Sequence, residues 1–115
     1  MSSATVTSKG QITIPKDVRE ALSSAIAQRQ AMLDTERTIQ QKQQKVAEIT
    51  QAQTRMRENM KTVQQTSEYY QRLLKKLDEQ ETELDKLDQE LEQLQKKLEE
   101  QRAELENSLN NLNVG

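Results

Sequence analysis

Between Pro15 and Gly115 the chain contains neither glycine nor proline, so over nearly its whole length no residue forces a helix to stop. The same stretch carries a sustained periodicity. In its second half an interior stripe runs Tyr70, Leu73, Leu77, Gln80, Leu84, Leu87, Leu91, Leu94, Leu98, Gln101 and Leu105, with Leu112 one heptad further. Steps that alternate three and four place all of these on one seam of a helix, the pattern that makes helices coil around one another. A weaker stripe of the same kind occupies the first half, through Met32, Thr35, Ile39, Lys42, Val46, Ile49, Gln53, Met56, Met60 and Val63.

Joined as one straight helix, the two stripes fall out of phase near residues 70–80. A fold-back at Thr66–Ser67 removes the conflict. Opposite residues then have numbers that add to about 133, so Val63 meets Tyr70, Met60 meets Leu73, Met56 meets Leu77, Ile49 meets Leu84, Val46 meets Leu87 and Ile39 meets Leu94. The polar Gln53 falls opposite Gln80. Ser67 suits a helix N-cap, with Glu68 in the first turn, where the helix dipole favours a carboxylate. On the same mirror Glu36 faces Lys97 and Lys45 faces Asp88, against a repulsive Arg57–Lys76 pair. In a parallel homodimer of the second helix, Lys76–Glu81 attracts while Glu83–Asp88 and Lys97–Arg102 repel. Exposed pairs contribute only ~0.2–1 kcal/mol each, so they tilt the choice toward the hairpin without deciding it.

The expected fold is therefore all-α: a long antiparallel two-helix coiled-coil hairpin preceded by a short extended or β-hairpin arm. The expected boundaries are an arm over residues 1–15, a first helix over 16–64, a turn over 65–67, a second helix over 68–110 and a frayed tail over 111–115. Thr5 to Ile14 reads as two short strands around a Ser8–Lys9–Gly10 turn, and Pro15 with Asp17 suits a helix start. Helix should make up about four-fifths of the residues.

Composition narrows function. With 115 residues, 32% of them apolar and 31% charged, and with no Phe or Trp, the chain lacks the material for a globular core. It has no Cys and no His, which removes disulfides, thiolate and imidazole metal ligands, the cysteine nucleophile and the histidine base. Paired carboxylates such as Glu81/Asp85 and Glu99/Glu100 read as a solvated helix face. Met32, Met56 and Met60 read as seam residues, the Gln40–Gln44 run as helix surface, and Tyr69 and Tyr70 as the end of a core or an anchor for a partner. No catalytic, cofactor-binding or metal-binding residue is expected. No apolar run approaches the roughly 20 residues of a membrane span, and a cytoplasmic location is the expectation. The net charge of −2 conceals a gradient: residues 1–22 hold three basic and two acidic groups, residues 23–66 seven and four, and residues 67–115 seven and thirteen.

Two segments resemble bacterial families. The string TVTSKGQITIPKDVREAL, Thr5 to Leu22, resembles the first half of the AbrB/MazE/SpoVT swapped-hairpin DNA-binding domains, through the Ser8-Lys9-Gly10-Gln11 turn, the strand end Ile12-Thr13-Ile14-Pro15 and the helix Val18-Arg19-Glu20-Ala21-Leu22. That resemblance implies DNA contacts from Lys9, Gln11 and Arg19. The second hairpin of those domains has no counterpart after Leu22, where a helical pattern continues. Residues from about Asp17 to Val114 resemble the C-terminal helical hairpin of mucoidy-inhibitor-A-like proteins, a domain of unknown function. The similarity is densest in RMRENMKTV (Arg55 to Val63), SEYYQRLLKKLDEQETELDKL (Ser67 to Leu87) and LNNLNV (Leu109 to Val114). It implies a turn just after Val63 and brings no enzymatic role.

The function expected is a non-enzymatic coiled-coil scaffold or oligomerisation element, mediating protein–protein interaction with a second copy or another helical protein. The rival is an AbrB-like transcriptional regulator or antitoxin with a helical dimerisation tail. DNA affinity of the arm should be weak and salt-sensitive, because its segment carries a net +1 and no aromatic residue.

Overall fold

The computed structural model describes residues 5–6 and 12–112. Two-residue strands, β1 (Thr5–Val6) and β2 (Ile12–Thr13), pair antiparallel with Thr5 opposite Thr13 and Val6 opposite Ile12. Two helices of 45 residues each follow, α1 (Lys16–Met60) and α2 (Glu68–Leu112), about four-fifths of the 115-residue chain. The all-α helical hairpin is the observed fold. The turn expected at Ser8–Lys9–Gly10 and the tail 113–115 lie outside the described residues.

Helix α1 opens where Pro15 ends the arm: the Pro15 carbonyl accepts from the Arg19 amide at 3.0 Å, and Asp17 lies in the first turn. It closes at Met60, four residues before the expected position 64. Beyond Met60 the amides of Lys61, Thr62 and Val63 reach back only three residues, to Glu58, Asn59 and Met60. The last turn thus tightens and unwinds. The Thr62 hydroxyl donates to the Asn59 carbonyl at 3.0 Å, meeting an acceptor that a helix end leaves open. The connection is accordingly longer than the three residues expected. Helix α2 runs two residues past Asn110.

The start of α2 follows from Ser67. Its Oγ accepts from the Tyr70 amide at 3.1 Å and donates to the Gln64 carbonyl at 2.7 Å, while the Ser67 carbonyl accepts the first helical bond from Gln71 at 3.2 Å. This is an N-cap with the side chain bonded to the third helical amide. The Ser67 amide also donates to Gln64 at 3.1 Å, closing a turn over residues 64–67. The fold-back occupies residues 61–67, a span that includes Thr66 and Ser67.

The chain divides into two compact units, one comprising residues 37–95 and the other residues 1–36 with 96–115. The first unit holds the closed end. Its core is the seam: Ile39, Ile49, Gln53, Met56, Leu73 and Leu87 are buried, and Lys42, Val46, Met60, Val63, Tyr70, Leu77, Gln80, Leu84, Leu91 and Leu94 are half-buried. In the second unit Ala25, Thr35 and Leu98 are buried, and Gln28, Met32, Gln101 and Leu105 are half-buried. The three-and-four alternation extends further toward the N-terminus than the large apolar residues announce, through Gln28, Ala25, Ala21 and Val18.

Candidate functional site

Writing the heptad as abcdefg with Ile39 at a and Tyr70 at a, each layer sets an a residue of one helix against a d residue of the other, as antiparallel pairing requires. The e positions of both helices then line one side of the seam and the g positions the other. The cross-helix ion pairs of Arg57, Glu36 and Lys45 obey this rule, and that of Lys42 reaches out from the seam. Arg57 meets Glu81 at 3.5 Å and Glu36 meets Arg102 at 3.6 Å, all four at e. Lys45 meets Glu83 at 3.7 Å, both at g.

These partners correct the mirror pairing. Glu36 and Lys97, Lys45 and Asp88, and Arg57 and Lys76 each combine an e with a g position, and so stand on opposite sides of the seam. Flanking partners are displaced by about five residues from the layer register, in opposite directions on the two sides. The Arg57–Lys76 repulsion disappears, and Arg57 gains a carboxylate instead.

Two polar seam residues are engaged from the flanks. Gln53, 3% exposed, donates its amide to Glu81 Oε1 at 3.0 Å, rather than pairing with Gln80 opposite. Lys42 Nζ bonds and ion-pairs with Glu90 Oε2. The Lys42 bond holds the Glu90 carboxyl below its ordinary range, against the opposing effect of desolvation, with the charges of Lys42 and Lys86 adding to the lowering. Thr35, also buried, satisfies its hydroxyl locally on the Ala31 carbonyl at 3.0 Å. The amide oxygens of Gln28, Gln80 and Gln101 are buried without a protein donor, so these layers hold the helices less firmly than the leucine layers.

All fifteen predicted apolar seam residues, Ile39 to Met60 on α1, Val63 in the connection and Tyr70 to Leu105 on α2, are buried or half-buried. The predicted DNA-contact residues are not brought together as a described site. Lys9 and Gln11 lie outside the described residues, and Arg19 is exposed in the second turn of α1. No group of three or more His, Cys, Asp or Glu residues among the described residues is placed to hold a metal. No described helix is long and apolar enough to cross a membrane.

What sequence periodicity does not reveal is an apolar set outside the seam. Leu22, Ile26 and Leu33 are exposed on one face of α1, Ile26 at 70%, and Leu109 is exposed on α2 in the same unit. Their spacing of four and seven coincides with the repeat of the neighbouring seam, which masks it. The geometry defines a class, the two-helix antiparallel coiled coil. No known protein family, curated protein or solved structure matches the chain.

Proposed function

We propose that the chain is a non-enzymatic coiled-coil scaffold whose unit of residues 1–36 and 96–115 associates with a second copy or with another helical protein. The observation that carries this reading is the position of its apolar side chains. In that unit the seam includes Ala25, Gln28, Thr35 and Gln101, whereas Leu22, Ile26, Leu33 and Leu109 are exposed outside it. Exposed apolar side chains that recur on one side of a polar helix mark a surface that another helix covers. A chain without Cys suits a reducing cytoplasm.

Sedimentation equilibrium of the full chain tests this. Self-association at micromolar concentration is expected, with Ile26→Glu and Leu33→Glu together restoring the monomer at unchanged helix content. A chain monomeric at high concentration would rule out the second copy and leave only a different helical partner.

A second reading, a bacterial DNA-binding regulator or antitoxin with a helical dimerisation tail, draws on the antiparallel pairing of Thr5–Val6 with Ile12–Thr13, the hairpin that the AbrB-like resemblance implies. A footprint at physiological salt, lost with Lys9→Ala or Arg19→Ala, would place it first.

A further inference from the structure

Charge is unevenly distributed within the unit that holds the closed end. Residues 55–76 carry six basic side chains, Arg55, Arg57, Lys61, Arg72, Lys75 and Lys76, against two acidic ones, Glu58 and Glu68. Arg57 and Lys61 are engaged by Glu81 and Glu58. The other four are exposed, and no described carboxylate pairs with them. They are not scattered. Tyr69, Arg72 and Lys76 follow one another at steps of three and four along the g side of α2, with Lys75 beside them, so Arg72 and Lys76 stand ~6 Å apart along the axis. Arg55 is exposed at the c position of α1, the heptad position that Arg72 holds in α2. Tyr69 is 44% exposed, and the Arg72 guanidinium lies over its ring at 5.9 Å, a cation–π arrangement that orients both groups.

We propose that this face at the closed end of the hairpin binds single-stranded nucleic acid, a function beyond the scaffold reading. Cations spaced by one helical turn track a phosphate backbone, and the exposed tyrosine offers a stacking surface for a base. A duplex hides its base faces and leaves Tyr69 idle. An acidic peptide uses the cations but not the ring. A membrane surface calls for apolar side chains beside the cations, and the one exposed leucine nearby, Leu74, lies on the other side of α2, at an e position. The arm at the N-terminus lacks both the charge and the aromatic group that this face combines.

The test uses the full chain and a fluorescein-labelled oligodeoxythymidylate of about 20 nucleotides, a length that exceeds the ~4–16 nucleotides of known single-strand sites. Anisotropy is read at ~50 and ~200 mM salt. Binding at low salt that weakens steeply at high salt is expected. Arg72→Glu with Lys76→Glu should lower the affinity at least tenfold, whereas Lys96→Glu with Lys97→Glu, the same change of net charge on the distant part of α2, should leave it nearly unchanged. Tyr69→Ala should cost about fivefold or more, with Tyr69→Phe retaining affinity, and circular dichroism should show equal helix in all variants. Absence of binding at low salt, equal loss in the two charge-reversal pairs, or an unaffected Tyr69→Ala would overturn the proposal. So would preference for polyglutamate, duplex or phosphatidylserine vesicles over the oligonucleotide, or loss of binding through Lys9→Ala and Arg19→Ala alone.

Discussion

Gln53 and Glu81 are joined across the hairpin by a 3.0 Å hydrogen bond, and the same carboxylate oxygen that accepts from the buried amide lies 3.5 Å from the Arg57 guanidinium. One exposed carboxylate therefore serves a seam residue and a flanking cation together. Removing it strands a buried donor, which is more costly than never having had one. Glu81→Ala should destabilise the chain by about 1–3 kcal/mol, and the same change should cost much less in a Gln53→Leu background. Urea titrations of the four proteins make the comparison; equal losses in both backgrounds would show that the bond contributes nothing.

Layers of the seam differ in depth. Leu87 is buried, whereas Leu84, one layer nearer the turn, is half-buried. Leu→Ala changes at buried sites cost about 2–5 kcal/mol according to how far the cavity collapses. Leu87→Ala should fall within that range and Leu84→Ala at or below its lower edge. Thermal unfolding at one fixed protein concentration ranks them, and the reverse order would contradict the seam as described.

Lys42 occupies an apolar layer position opposite Leu91 and reaches the flank only by bonding Glu90. Because Glu90 titrates below its ordinary value of 4.5, its ionised form favours the folded state. The sign follows: the contribution is fully present above that ordinary value and is lost as pH falls through the lowered one. In Lys42→Leu, Glu90 should titrate closer to the ordinary value, and the hairpin should be at least as stable at neutral pH, since a leucine fills the layer without the cost of partly desolvating a charge. Carboxyl carbon shifts of Glu90, followed by NMR through acid titration, check the first point. A titration unchanged by Lys42→Leu would remove Lys42 as the cause.

The fold-back itself is open to a distance measurement. Met32 and Gln101 are both half-buried seam residues of one unit, and the antiparallel register sets them side by side. One continuous helix would separate them by ~100 Å at ~1.5 Å per residue. Spin labels at positions 32 and 101, diluted with unlabelled chain, should give a short distance within the molecule. Cys at Ile49 and Leu84 should likewise crosslink within a monomer where the Cβ spacing permits it. A long intramolecular distance would leave the hairpin untenable.

The sequence by itself determined the helices, the seam and the fold-back. Residues at steps of three and four must share a helix face, an unbroken run without glycine or proline has no reason to stop, and Ser67 followed by Glu68 is competent to start a helix. These are local or strictly periodic properties, so counting recovers them. Tertiary structure decided what counting along one chain does not reach. It chose Arg102 for Glu36 and Glu83 for Lys45, because side chains meet only across the same side of a seam. It turned Gln53 toward Glu81 instead of Gln80, because a long amide reaches a flanking carboxylate more readily than its layer partner. It ended α1 at Met60, where the chain must leave the helix in time to close on the Ser67 cap. It also placed Arg55 of α1 at the same end of the hairpin as Arg72 and Lys76 of α2, which only helices running in opposite directions allow.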